Sequence, residues 1–421
     1  MSTVADPAFI RAPGASAASR GAAASGTGTR DLRLDFFRGL AMFIILIAHT
    51  PQNFFNNWIP ARWGFSDATE IFVFCSGMAS AIAFGRAFDR AGWMMGSARV
   101  VFRIWQVYWA HIAMFFAIAA FLAAIDQTGA FDKIYIGSLN LWKFFEDPAP
   151  LLPALFTLTY VPNYFDILPM YLAILAAMPL MMALSRVSRW LVALAVVTIW
   201  LMAQDGLMTT LGLGGLHLAF PAEPWSDRRW FFNPFGWQLV FFTGFALMRG
   251  WLPKPPVNWL LIGLALIVVI ANVPLSHIGL REIWGNLAPG TREDVIAWRI
   301  SNKPLFNKTD FGILRYLHFL GLAYLCWVAA GDGGSRLVAR GRGWLAQLWA
   351  AVLAMILKVG QQSLAVFVFS MVFARLSGFV MDQIGRTTWT MTLANLAGFA
   401  ALIVVAYSVS WLKSHPWRKT A

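Results

Sequence analysis

Along this chain, long apolar runs are separated by short polar stretches. The runs lie at roughly 36–54, 68–88, 99–124, 166–185, 190–204, 234–249, 257–273, 312–331, 360–380 and 388–412. About 20 apolar residues in a helix cross the ~30 Å hydrocarbon core of a bilayer, so each run is a candidate span. The pattern predicts an all-α integral membrane protein, a polytopic bundle of about ten transmembrane helices. The segment 344–358, WLAQLWAAVLAMILK, fits either an interfacial helix or part of an eleventh span. Three intervening stretches, about 125–165, 205–233 and 274–311, are too long for simple turns and rich in Trp, Phe, Asn, Pro and Gly. Loops of that length usually have work to do. No internal repeat of the kind found in secondary transporters is visible.

Composition agrees: the 421 residues are 59% hydrophobic and only 13% charged, where a soluble domain carries roughly 25% charged residues. The net charge of +13 does not point to nucleic acid, because the basic residues form short clusters between apolar runs, as the positive-inside rule requires. With the N-terminus inside, 20 of the 33 basic residues and only five of the 20 acids face inward. Both ends are therefore expected in the cytoplasm of a cell with a bacterial-type inner membrane. Residues 1–30, rich in Ala, Gly, Ser and Thr, lack the apolar segment of a secretory signal and read as a disordered cytoplasmic tail. Residues 31–421 make up the membrane domain. Cys75 and Cys326 sit in apolar runs and make neither a disulfide framework nor a zinc site.

Ionisable side chains are costly in a bilayer, so the few within the spans are the first functional candidates. The opening span carries Arg38 at its inner end and His49 eleven residues later, about 16 Å along a helix axis. Asp67 and Glu70, in GFSDATEIFVFCSG, begin the second span at a depth comparable to His49. Imidazole is suited to moving a proton near neutral pH, and a carboxylate partner orients it, with Glu70 or failing that Asp67 as the expected partner. Equally, the two acids are suited to capping the second helix. Asn163, Tyr164 and Asp166, Asn233 and Gln238, and Arg315 and His318 sit at the same outer level on other spans. Each alone is more often a cap or anchor; together they describe a polar cavity open to the outside. Arg86, Arg99 and Arg103 on the inner side are candidates for phosphates, against the plain reading of topogenic arginine. Gln361, Gln362 and Ser363 begin the ninth span at an inner entry, and Gly39, Ser76 and Gly77 are small enough to line a path outward. His111 and His277 have no neighbours that lift them above structural roles, and no metal signature, phosphate-cradling loop or GxSxG elbow is present.

The stretches RDLRLDFFRGLA, GFSDATEIFVFCSG, YVPNYFDILPMY, FNPFGWQLVFFTG, LRYLHFLGLAY and GQQSLAVFVFS, in this order from about residue 30 to the end, resemble the OpgC proteins, inner-membrane enzymes that succinylate osmoregulated periplasmic glucans. The Arg38 to His49 spacing also resembles the signature of the wider acyltransferase family 3. The resemblance implies succinyl transfer from cytoplasmic succinyl-CoA to glucose hydroxyls of a periplasmic glucan, with no permanently bound cofactor. It makes Arg38 and His49 the counterparts of the pair considered catalytic in the wider family, and Asp67, Glu70 and Asp166 acids recurrent in this one. An O-acyltransferase acting on another surface polysaccharide and a non-enzymatic transporter or flippase remain the alternatives.

Overall fold

The computed structural model describes residues 31–418; the tail expected over 1–30, with Arg11, Arg20 and Arg30, and also Lys419 lie outside the described residues. Every apolar run becomes a helix. They are α1 (Leu32–His49), α2 (Ala68–Ser80), α3 (Arg86–Gln127), α4 (Ile167–Val187), α5 (Arg189–Met202), α6 (Pro234–Arg249), α7 (Trp259–Asn272), α8 (Ile313–Ala330), α9 (Trp344–Gln361), α10 (Ser363–Ile384) and α11 (Thr388–Lys413). A π-helical turn, Ala81–Gly85, carries α2 into α3. The chain then reverses at Gly92, whose φ of 78° breaks the helix near its start. Among the described residues the only β pairing is an isolated bridge between Pro221 and Arg229.

Six of these helical runs are long and apolar enough to cross a membrane by length and composition: α2 continuing into α3, α4, α8, α9, α10 and α11. α5 and α7 have 14 residues each, about 21 Å of helix against a core of ~30 Å. The protein is thus a helical membrane protein in which several helices are shorter than the sequence pattern alone implies.

The segments on either side of α9 are tied to α1. Arg33 near the start of α1 donates to the carbonyl of Gly331, just past the end of α8, at 3.1 Å and lies 3.6 Å over the ring of Trp327. Five residues on, Arg38 donates to Ser363 Oγ, the first residue of α10, at 2.5 Å. The end of α8 and the beginning of α10 therefore lie at the same end of α1, with α9 in the segment between them. Trp344, Leu345 and Leu348 in its first half are exposed, while Val359 and Gly360 are buried against α1. α9 is among the helices long and apolar enough to cross a membrane, and it packs along α1 and against α11.

α1 is the hub, packed against α2, α9, α10 and α11. Close approach needs small residues. A Cβ on Gly39 would collide with the Ile356 carbonyl of α9, and one on Gly77 with the Phe241 carbonyl of α6. This corrects the expectation that Gly39 and Gly77 line an open path, since both are spent on backbone contact.

Candidate active site

Two polar centres lie at opposite ends of α1. At the Arg38 end, the guanidinium that bonds Ser363 leaves its buried Nε without a partner. Asp35, Tyr171, Cys75 and Arg103 are close enough to act on it electrostatically. Arg103 also bonds Gln106 at 3.1 Å and lies near Lys413, which donates to Gln362 Oε1 at 2.7 Å. Arg38, Arg103, Gln362 and Ser363 are thereby brought together, joined by Lys413, which on sequence was only a basic residue of the C-terminal tail. Arg99, one turn before Arg103, and Arg86, across the Gly92 reversal, are exposed.

At the other end, α1 stops at His49. Its Nδ1 lies 2.8 Å from the carbonyl of Ile45, one turn earlier. A carbonyl oxygen only accepts, so Nδ1 carries the proton of that bond and the neutral ring keeps its lone pair on Nε2. The expected pairing of His49 with Glu70 does not form. Asp67 and Glu70 instead build a capping box at the start of α2: Asp67 Oδ1 accepts from Thr69 N–H at 2.7 Å and Glu70 Oε2 from Asp67 N–H at 2.7 Å. Their other oxygens take ion-pair partners from far along the chain, Arg315 for Glu70 and Lys308 for Asp67. Thus the orienting group of the imidazole is a backbone carbonyl, while Asp67 and Lys308 act on it through space.

Tyr164 completes this end. Its ring meets His49 edge-on with centroids 5.4 Å apart, its hydroxyl donates to the Met371 carbonyl at 2.7 Å, and Arg375 Cζ sits 3.9 Å from its centroid. It holds a φ of 88°, a conformation that costs a residue with a side chain of order 1–3 kcal/mol and that collects at functional sites. Lys308 and Arg375 escaped the sequence reading. Arg375 had a signal, because an arginine fifteen residues into the apolar run 360–380 is too far from the inner face for topogenic work.

The remaining outer-level candidates divide. His318 Nδ1 is bonded by Ser66 Oγ at 2.7 Å and by Ser66 N–H, fixing the loop before α2. Gln238 donates to the Val196 carbonyl at 2.7 Å within the helix packing. Asn163, by contrast, lines an open cavity of about 450 Å³ with Asp205, His217, Arg228, Arg229 and Asp310. Asp166 and Asn233 brace its walls, accepting from Phe231 N–H at 3.0 Å and donating to Asp310 Oδ1 at 3.0 Å. Burial raises the Asp310 carboxyl above its ordinary range, against the Asn233 hydrogen bond. Trp230 and Phe231 add aromatic faces. The cavity shares chain neighbours with the His49 centre, since Asn163 precedes Tyr164 and Thr309 follows Lys308. Among the described residues no group of His, Cys, Asp and Glu is arranged to hold a metal ion. His111 is buried with neither ring nitrogen bonded, and His277 is exposed.

The chain matches the family described as OpgC protein over residues 30–414. No curated protein and no solved structure matches significantly. With nearly the whole chain inside that match, the protein belongs to the OpgC family.

Proposed function

We propose that this protein is an inner-membrane O-acyltransferase that moves a succinyl group from cytoplasmic succinyl-CoA to hydroxyls of a periplasmic glucan, its chain crossing about ten times with both ends inside. The observation that carries the reading is His49, oriented by Ile45 so that Nε2 is free to accept a proton, on the same helix as the cationic centre around Arg38. In the proposed step, the glucan hydroxyl oxygen attacks the thioester carbonyl carbon while its proton passes to Nε2. The C–S bond then breaks, and the coenzyme thiolate leaves and takes up a proton. General base help of this kind contributes about 10²–10⁴ in rate. The 450 Å³ cavity, with its alternating donors, acceptors and aromatic faces, suits a neutral, hydroxyl-rich sugar chain. Mass spectrometry of periplasmic glucans from cells with and without the protein tests the whole reading. Succinyl esters present in both would overturn it.

On this reading Arg38, Arg103 and Lys413 hold the phosphates of the donor at the inner face, with Gln362 and Ser363 beside them. Arg38→Lys is expected to leave folding intact and raise the KM for acyl-CoA, because an ammonium lacks the guanidinium fork that reaches Ser363 and a phosphate together. Unchanged KM and kcat in a normally inserted variant would make Arg38 a structural anchor.

The orientation is tested separately. Asn140, Ser226 and Gly290 lie in the three long stretches and are exposed, while Cys75 is buried and Cys326 partly so. Cysteines placed at 140, 226 and 290 in a Cys326→Ser background are expected to react with an impermeant thiol reagent added from the periplasmic side. Protection of all three would invert the topology.

A further inference from the structure

The charges around His49 do not balance. Lys308, Arg315 and Arg375 bring three positive charges, and Asp67 and Glu70 bring two negative ones, each already paired. Arg375 is the one left over. It forms no ion pair with a carboxylate among the described residues, its Nε is buried without a hydrogen-bond partner, and its guanidinium carbon lies 3.9 Å from the Tyr164 ring centroid. The acid next along its own helix, Asp382, is shared between Lys133 at 2.6 Å and Arg386 at 2.5 Å. Asp166, two residues after Tyr164, is occupied by the Phe231 N–H and faces Arg228. A guanidinium placed so deep without a counter-charge is expensive, and its natural complement is an anion that arrives with the substrate.

Depth places that anion beside the reacting carbonyl. Arg38 and Ser363 touch, so α1 and α10 set out from one level. His49 lies eleven residues along one and Arg375 twelve along the other, about 16 and 18 Å of rise. Both touch the Tyr164 ring, whose centroid lies 5.4 Å from that of His49 and 3.9 Å from Arg375 Cζ, and Arg375 is near enough to His49 to act on it electrostatically. Resting on the proposed acyl transfer, we infer that Arg375 binds the free carboxylate of a dicarboxylic acyl group and makes the enzyme selective for such donors. A four-carbon diacid whose thioester carbon sits over Nε2 carries its carboxylate one extended ethylene unit away, a short reach between groups that pack on the same Tyr164 ring. Guanidinium presents two parallel N–H donors to a carboxylate, the geometry in which charge-assisted hydrogen bonds are strongest.

The test compares succinyl-CoA with butyryl-CoA, which has the same four-carbon chain but no terminal carboxylate, on the full-length protein in membranes. Wild type is expected to prefer succinyl-CoA. In Arg375→Gln the ratio of kcat/KM for the two donors should fall by about 10- to 100-fold, through loss of succinyl turnover with butyryl turnover unchanged or raised. Arg375→Lys, which keeps the charge, should retain part of the preference. Equal loss of both donors, or an unchanged ratio, would overturn the inference: the first would mark Arg375 as a brace for Tyr164 or a contact to the coenzyme phosphates, which both donors carry. A variant too unstable to turn over either donor is judged by protection from thermal unfolding in detergent, where wild type should be stabilised more by succinyl-CoA than by butyryl-CoA. Equal stabilisation also overturns the inference. Turnover of neither donor by wild type would instead defeat the acyltransferase reading itself.

Discussion

His49→Ala and His49→Gln are expected to lower acyl transfer by about 10²–10⁴-fold at matched expression in membranes. The magnitude follows from the geometry of the ring. Its Nδ1 is committed to Ile45, so Nε2 is the atom left to take the hydroxyl proton, and no neighbour can replace it. Asp67 and Glu70 are engaged by Lys308 and Arg315, and the Tyr164 hydroxyl is engaged by Met371. Neither variant should disturb the fold, because His49 ends its helix and its one hydrogen bond is to a carbonyl of its own last turns. Glutamine can still reach that carbonyl but offers no basic nitrogen. The measurement is the initial rate of ester formation on glucan with saturating donor. Activity of either variant within a few-fold of wild type would remove His49 from the chemistry.

Glu70→Gln is expected to act chiefly on stability. The Glu70 carboxylate is fully buried and accepts from the Asp67 N–H and the Arg315 guanidinium. Removing one charge of a buried pair leaves the other uncompensated, at a cost of about 3–5 kcal/mol. Here the stranded group is Arg315, in a region already carrying the excess charge of Arg375. The double variant Glu70→Gln with Arg315→Gln removes both charges and should regain most of the loss. Asp67→Asn should cost less, because its partner Lys308 is partly exposed and water can take its place. Thermal unfolding of the full chain in detergent reads the difference. A Glu70→Gln protein that unfolds like wild type yet transfers no acyl group would show that the carboxylate serves the reaction and not the fold.

The positions of apolar runs, the level of each polar residue along its helix and the clustering of basic residues were legible in the chain, because each depends on local order at 1.5 Å per residue. Hence the helices appear where the runs are, and the Arg38 and His49 levels hold their respective groups. What depth along a helix does not specify is direction around it, nor which helix stands opposite. Glu70 and Asp67 share a level with His49, yet their partners come from residues 245 and 241 positions away. The imidazole is oriented by its own backbone. Arg375 was readable as an arginine out of place, but only the packing of α10 beside α1 and Tyr164 put it across from His49. Composition likewise left α9 undecided, because a segment of 18 apolar residues suits a span as well as an interface. The Arg33 contact to Gly331 and the Arg38 contact to Ser363 hold the end of α8 and the start of α10 at the same end of α1, and such long-range contacts exist only once the bundle has assembled.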